Sequence, residues 1–318
     1  MVSTTHQSRP KVIIAGGTGF LGQLLARSLS ADQYEVVLLS RSISGSSIEI
    51  MGRFVHWDAH TIAGWTSELE GAKALINLTG RSIDCRHTQA NREEILESRI
   101  QSTRVLGQAV AACEIPPENW LNASSMALYG QCFGQEPAHD ENSPTQSGGF
   151  LEEVTKAWED EFFRHKREGV RKVALRISFI LGRESGAFPL LAHLARFGLG
   201  GKQGSGEQWM SWLHEDDWVG ITRYLIEEKQ LEGPVNLAAP NPVKNRDFMA
   251  ELSSHVSPFG FGLPAPAFGV RLGCILIGSA PELALQSRKV VSRVLESQNY
   301  TFVSAEILGA VKSLLNRE

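Results

Sequence analysis

Two hydrophobic rhythms alternate along the chain. Residues 11–15 form a short continuous apolar run; Leu21, Leu24, Leu25 and Leu29 follow at three-to-four spacing, with Ser28 on the same stripe. The change of period falls on a glycine cluster, so the first thirty residues predict strand, tight turn and helix. The strand rhythm returns at 36–39, 54–57, 74–78, 120–123 and 173–177. Continuous apolar runs of this length belong to strands covered on both faces. Residues 91–112 and 151–166 have the length and pattern of crossover helices. The fold class that follows is α/β, a Rossmann-type doubly wound parallel sheet with a smaller C-terminal substrate lobe.

After Gly182 the regularity fades into GLGGKQGSGEQ, whose glycines favour turns. The expected division is a nucleotide-binding unit over 8–185 and a substrate lobe over 186–318. Residues 208–238 should return to the first unit through a helix at 216–229 and a strand at 234–237. A further helix should open near Asn245, and 304–315 reads as a capped amphipathic helix. The apolar stretch 264–280 carries Arg271, Gly269, Gly273 and Gly278. It is too short to span a bilayer and reads as a packed helix.

The segment Gly16-Gly17-Thr18-Gly19-Phe20-Leu21-Gly22 is a GxxGxxG turn between the first strand and helix. A pyrophosphate needs close backbone approach and unpaired N–H groups at a helix N-terminus, which a Cβ at the inner glycines would block. A glycine-rich turn that binds nothing is the plain alternative, and the flanking strand and helix count against it. At the end of the second strand, where an NAD site offers a carboxylate to the ribose, the chain has Ser40-Arg41-Ser42. An arginine between two hydroxyls suits a 2′-phosphate, so NADP(H) is the expected cofactor. A solvated surface arginine would look the same in sequence.

Composition narrows the partners. The net charge of -4 supplies no basic field for nucleic acid or an anionic membrane, so neither is expected. A small-molecule substrate is expected, and a protein partner stays open. Cys85, Cys113, Cys132 and Cys274 stand far apart with no CxxC pair, and no histidine cluster has ligand spacing. Reduced thiols and no metal site are the simplest reading. The N-terminus lacks an apolar core of signal-peptide length before the first strand, which points to the cytoplasm.

The motifs GGTGFLG, LLSRS, NLTG at 77–80, SSMALYG at 124–130, LRISFILG at 175–182 and SWLHEDD at 211–217 occur in this order. With them the chain resembles the extended short-chain dehydrogenases/reductases, and within these an atypical epimerase-like branch of NAD-dependent epimerase/dehydratase type. GPVNLAAPNPVKNRDF and the C-terminal PAFGVRLG and ELALQSRKVVSRVL segments extend the resemblance over nearly the whole chain. It implies an oxidoreductase or epimerase acting on a small polar substrate such as a sugar nucleotide. It also implies that NLTG lies beneath the cofactor, with Leu78 and Thr79 passing the adenosine and pyrophosphate and Gly80 giving clearance. Arg99 would point to the cofactor where typical members carry asparagine, with Glu94 nearby, and Ile180 would face the nicotinamide. As bare residues, Arg99 and Glu94 equally suit solvated helix charges, and Ile180 suits a core.

Typical members pair a serine with Tyr-x-x-x-Lys. Ser125 matches the serine, although a strand-end serine also serves as a local hydrogen bonder. The residues four beyond Tyr34, Tyr129, Tyr224 and Tyr300 are Leu38, Phe133, Glu228 and Ser304, so no Tyr-x-x-x-Lys exists. Lys156 is present at the start of the fifth crossover helix, within GFLEEVTKAWE, without its tyrosine. It would hold the nicotinamide ribose or be a solvated helix lysine. The usual proton relay then fails, and Tyr129, Glu153 and His214 are the candidate replacements. An NADP(H)-binding regulatory or partner-binding protein with little turnover is the second reading, because ligand stabilises a folded state without any catalytic acid. Trp209 and Trp212 would wall a pocket or pack the lobe, and packing is the better fit.

Overall fold

A computed structural model describes residues 9–32, 34–42, 51–146 and 148–316. The first strand, β1 (Lys11–Ala15), is followed by α1 (Phe20–Ala31), β2 (Glu35–Ser40) and β3 (Arg53–His56). The chain then crosses back to β4 (Ala74–Asn77), α2 (Gln89–Ala112), β5 (Asn119–Ser125), α3 (Phe150–Arg164) and β6 (Arg171–Ile177). Two short strands, β7 (Phe179–Leu181) and β8 (Trp209–Met210), flank α4 (Phe188–Arg196). Next come β9 (Trp212–His214), α5 (Glu215–Glu227), β10 (Gly233–Leu237), β11 (Val243–Lys244) and α6 (Asn245–Val256). The C-terminal part adds α7 (Ala267–Ile277), α8 (Pro281–Leu285), α9 (Arg293–Ser297) and α10 (Ile307–Leu315).

The main sheet has seven parallel strands in the order β10-β6-β5-β4-β1-β2-β3. Chain order reverses between β1 and β4, which opens a crevice at the carboxyl ends of those strands. One face is filled by α1, α5 and apolar residues such as Leu25, Leu38 and Trp218. The opposite face is filled by α2 and α3, with Trp57, Leu75, Trp120 and Phe162. Burial on both faces explains why the strands read as unbroken apolar runs. A third core joins α4, α6 and α10 through Phe188, Phe248 and Val311.

Polar side chains also cross the main sheet. Arg176 on β6 and Glu159 on α3 form a buried bidentate pair, 2.9 and 2.8 Å. Ser124 donates to the same carboxylate at 2.5 Å, and Arg176 Nη1 donates to the Tyr129 hydroxyl, which donates to Asn236 on β10. One charged pair therefore ties β5, β6, β10 and α3 together.

Three expectations are corrected. Residues 264–280 do contain a helix, α7, but it is not packed: only Val270 is buried. Apolar content predicted burial, whereas burial needs a partner surface, and α7 meets one at Val270 alone. The final helix starts at Ile307 rather than Ser304, with Glu306 at its N-cap and no side-chain cap. The amides of Val303 and Ser304 are instead held by the Asp217 carboxylate at 2.7 and 3.0 Å. The region after Gly182 is also less loop-rich than its pattern suggests, since α4 opens there with a proline in its first turn. Among the described residues no helix is long and apolar enough to cross a membrane, and no group of His, Cys, Asp or Glu is placed to hold a metal.

Replacing Arg176 with alanine leaves Glu159 buried beside a hydroxyl alone and removes a donor from Tyr129. Such a change costs about 3–5 kcal/mol. The denaturation midpoint should drop with little change in slope, and a loss under 1 kcal/mol would show that water replaces the guanidinium.

Candidate functional site

The turn from β1 into α1 is built by close backbone contact. Gly16 has φ +77°, and a Cβ there would lie 3.0 Å from the Leu78 carbonyl carbon. A Cβ on Gly22 would meet Gly17 Cα at 2.6 Å, and one on Gly17 would meet Leu38 Cδ2 at 2.6 Å. Helix and strand can approach this closely only without side chains. The Gly16 amide donates to Leu39 O and the Gly19 amide to Gly16 O, which closes the turn. Gly19 caps α1 with no side-chain hydrogen bond and no acid in the first turn. The first amides of the helix therefore face the crevice with a partial positive charge. Phe20 packs against the segment that follows β7, where a Cβ on Gly182 would strike its ring at 2.2 Å. Leu21 lies partly buried against the same core.

At the end of β2, Thr18 and Ser40 share a hydrogen bond at 2.9 Å, and Ser40 Oγ donates to Ser42 O at 3.3 Å. Arg41 is exposed and makes no ion pair among the described residues. Glu35, the nearest acid in sequence, begins the same strand and pairs with Arg53 at 3.1 Å. Ser40-Arg41-Ser42 at the carboxyl end of β2 thus offers one cation and hydroxyls, while Asp58 beyond β3 is taken up by the His60 and Thr61 amides.

Across the crevice, the loop after β4 is fixed by Asn77, which accepts from the Thr79 amide and donates to Asn122 and Thr103. Leu78 packs partly buried against the first core. Thr79 Oγ1 is buried without a partner among the described residues. An orphaned hydroxyl beside a cradle that a Cβ would fill is what a bound nucleotide satisfies, so the residues fit a dinucleotide. Gly80 rests on Arg99, whose guanidinium carbon would lie 3.1 Å from a Cβ. Arg99 Nη1 donates to Arg81 O and Ile95 O, and its charge lies 5.1 Å from the Trp158 ring. Burial lowers its pKa to about 10. Glu94 is exposed and pairs with Arg81, which draws it toward the loop rather than into the crevice.

The carboxyl end of β5 carries Ser125, whose Oγ accepts from the Ala127 amide at 3.1 Å and starts a 3-10 turn over Met126–Tyr129. Of the three replacements for the missing tyrosine, Tyr129 is fully buried and committed to Arg176 and Asn236. Burial also pushes its hydroxyl pKa up, so it is no proton relay. Glu153 is exposed on α3. Lys156 is exposed and pairs with Asp160 at 3.2 Å.

One group escaped the sequence reading. Glu152, four residues before Lys156, forms a 2.8 Å pair with Arg288, which is buried and donates also to Ala127 O at 2.9 Å. The C-terminal QSRK segment therefore reaches the turn that follows Ser125. The four-residue spacing of Glu152 to Lys156 was the available signal; a contact 136 residues away had none.

His214 ends β9 and caps α5. Its Nδ1 accepts from the Asp216 amide at 3.1 Å, which leaves the proton on Nε2, and that buried atom has no partner among the described residues. With no free lone pair it holds a helix end and cannot take a proton as a neutral base. Burial lowers its pKa. Ile180 is buried in the first core and pairs with Leu213. Trp212 is buried in the third core, while Trp209 stays partly exposed under Lys289 at 4.4 Å. Packing is the role of Trp212 alone.

Residues 12–238 match the model of the NAD dependent epimerase/dehydratase family. The chain belongs to this family. A relative in Bacillus subtilis, "Epimerase family protein YfhF", is 31% identical over 304 residues, covering 96% of this chain and 97% of that protein. The solved human epimerase family protein SDR39U1, crystallised with NADPH, superposes with a TM-score of 0.82 at 28% identity, covering 96% of this chain and 98% of that one. A nucleoside-diphosphate sugar epimerase from Corynebacterium glutamicum gives 0.75 at 30% identity, over 96% of this chain and 58% of that one. As a member of the epimerase/dehydratase family the chain keeps the glycine turn, and it has a glutamate, already paired with an arginine, four residues before its helix lysine.

Because the folded pKa of His214 is lowered, the unfolded chain takes up the proton first. Its contribution to stability is lost as pH falls below the ordinary histidine value of about 6.5. His214→Asn keeps a capping side chain and removes the titration. Between pH 7 and 5 the melting temperature of the variant should fall less than that of the wild type; parallel curves would clear His214 of the acid response.

Proposed function

We propose that the protein binds NADP(H) across the crevice between β1 and β4 and acts as an NADP(H)-dependent epimerase or oxidoreductase on a small polar substrate of the sugar-nucleotide class. The observation that carries the cofactor is the end of β2, where Arg41, free of an ion pair among the described residues, stands between Ser40 and Ser42 and no acid interrupts this segment. The NADPH in the human relative supports it. The substrate class rests on the Corynebacterium relative, a nucleoside-diphosphate sugar epimerase.

Gly16, Thr18, Gly19, Phe20, Leu21 and Gly22 would present the α1 amides to the pyrophosphate. Ser40, Arg41 and Ser42 would hold the 2′-phosphate. Leu78, Thr79 and Gly80 would form the opposite wall, with Arg99 beneath Gly80 and Ile180 behind the nicotinamide. Glu94 would act only through Arg81. The division at 185/186 goes with this reading: the crevice belongs to the first unit, and the lobe would bring substrate to it.

Bound NADP(H) would supply hydride exchange. The chain would supply orientation: Ser125 Oγ already accepts from Ala127, so its own O–H remains to donate to a substrate oxygen. Lys156 holds Asp160 only through an exposed pair, of a kind worth little, and can exchange it for a ribose hydroxyl. A regulatory NADP(H)-binding role is the second reading. It is favoured by Tyr129 being sequestered and Glu152 being held by Arg288.

Thermal unfolding with NADP+, NADPH, NAD+ and NADH tests the cofactor: the melting temperature should rise selectively with the 2′-phosphorylated pair. Arg41→Asp should weaken NADPH by roughly 10- to 100-fold, the worth of a charged hydrogen bond, and leave NADH nearly unchanged. Equal losses for both would remove the 2′-phosphate assignment. Turnover of bound NADP(H) with UDP-sugars separates the enzymatic from the regulatory reading.

A further inference from the structure

The apolar helix α7 is bare. Phe268, Leu272 and Leu276, one stripe at four-residue spacing, are 75, 57 and 76% exposed, and Ile277 beside them is 63% exposed. The loop that precedes α7 adds exposed Phe259, Phe261 and Leu263, and the loop after α4 adds Phe197 and Leu199. The two loops are one surface. Leu263 donates its amide to Gly198 O at 2.7 Å, Gly201 to Leu263 O at 3.1 Å and Ala265 to Lys202 O at 2.9 Å. A contiguous apolar face of this extent marks an interaction site.

Charge identifies what it meets. Residues 187–206 and 257–281 contain no aspartate or glutamate. Arg196, Lys202 and Arg271 are all exposed there. Acids stand at the margins: Glu207 follows Gly206 and is paired with Lys244 and Arg246, Asp84 receives the Ser279 hydroxyl at the far end of α7, Glu282 lies in α8, and Glu251 of α6 faces His255. A second copy packed about a two-fold axis would set this patch against itself, cations facing cations with carboxylates at the margin alone. Anionic headgroups would pair with all three, while phenylalanine and leucine enter the acyl boundary.

We propose that α7 and its two flanking loops dock the protein on the surface of an anionic lipid bilayer. Eleven residues rise about 16 Å, roughly half a hydrocarbon core, so α7 lies in the interface and does not cross it. Its C-terminal end is anchored by Arg86, which donates to Ile275 O at 2.8 Å, so the docked face is tied to the segment that follows Gly80. The overall charge of -4 hides this face because the acids lie elsewhere.

Co-sedimentation of the full chain with vesicles tests the proposal, using phosphatidylcholine alone and phosphatidylcholine mixed with phosphatidylglycerol. The protein should pellet with the mixed vesicles and far less with the neutral ones. Phe268→Glu with Leu276→Glu should abolish binding at an unchanged melting temperature. Lys202→Gln and Arg271→Gln should each weaken it about fivefold. Absence of binding to either vesicle, or equal binding to both, overturns the proposal. A dimer in sedimentation equilibrium that the Phe268→Glu, Leu276→Glu protein no longer forms would assign the face to a second copy and overturn it as well.

Discussion

The backbones of Gly17 and Gly22 must meet, and the C-terminal edge of the sheet is arranged around that contact. With Cβ atoms 2.6 Å from their neighbours, any side chain would drive α1 off β1. The same approach sets the first amides of α1 over the crevice between β1 and β4 and brings Gly16 against the Leu78 carbonyl. Cofactor geometry and helix packing are one constraint here. A substitution at this turn acts on both at once.

A second layer of organisation is electrostatic. Arg176 and Glu159 lie between sheet and helix in a place where an unpaired charge would be costly, and their partners Ser124, Tyr129 and Asn236 complete the hydrogen bonding. Among the groups this network uses is the tyrosine that sequence position offered for proton transfer. Arg288 does the same for Glu152. The turn that follows Ser125 is therefore held by buried charges, Arg176 on the Tyr129 hydroxyl and Arg288 on Ala127 O and Glu152.

The C-terminal part combines a firm core with a bare face. Phe248, Leu252 and Val311 fill the interior between α6 and α10, while α7 buries Val270 alone. Monomeric proteins rarely leave nine large apolar side chains on one continuous surface without a use. The acid-free composition of the segments that carry them gives that surface a sign as well as a hydropathy.

The amino-acid sequence by itself determined the parallel sheet, the glycine turn and the cation at the end of β2, because each follows from short-range pattern: unbroken apolar runs, a glycine spacing, a strand-end residue. It also exposed the absence of Tyr-x-x-x-Lys, which is a matter of counting. Tertiary structure decided the rest. The Glu152–Arg288 pair joins residues 136 apart, Tyr129 is sequestered because Arg176 and Asn236 reach it, and His214 caps a helix through an amide that pattern does not mark. The stretch 264–280 makes the point most plainly: hydropathy is a property of the segment, but burial requires a partner surface, and only the fold shows that α7 has almost none.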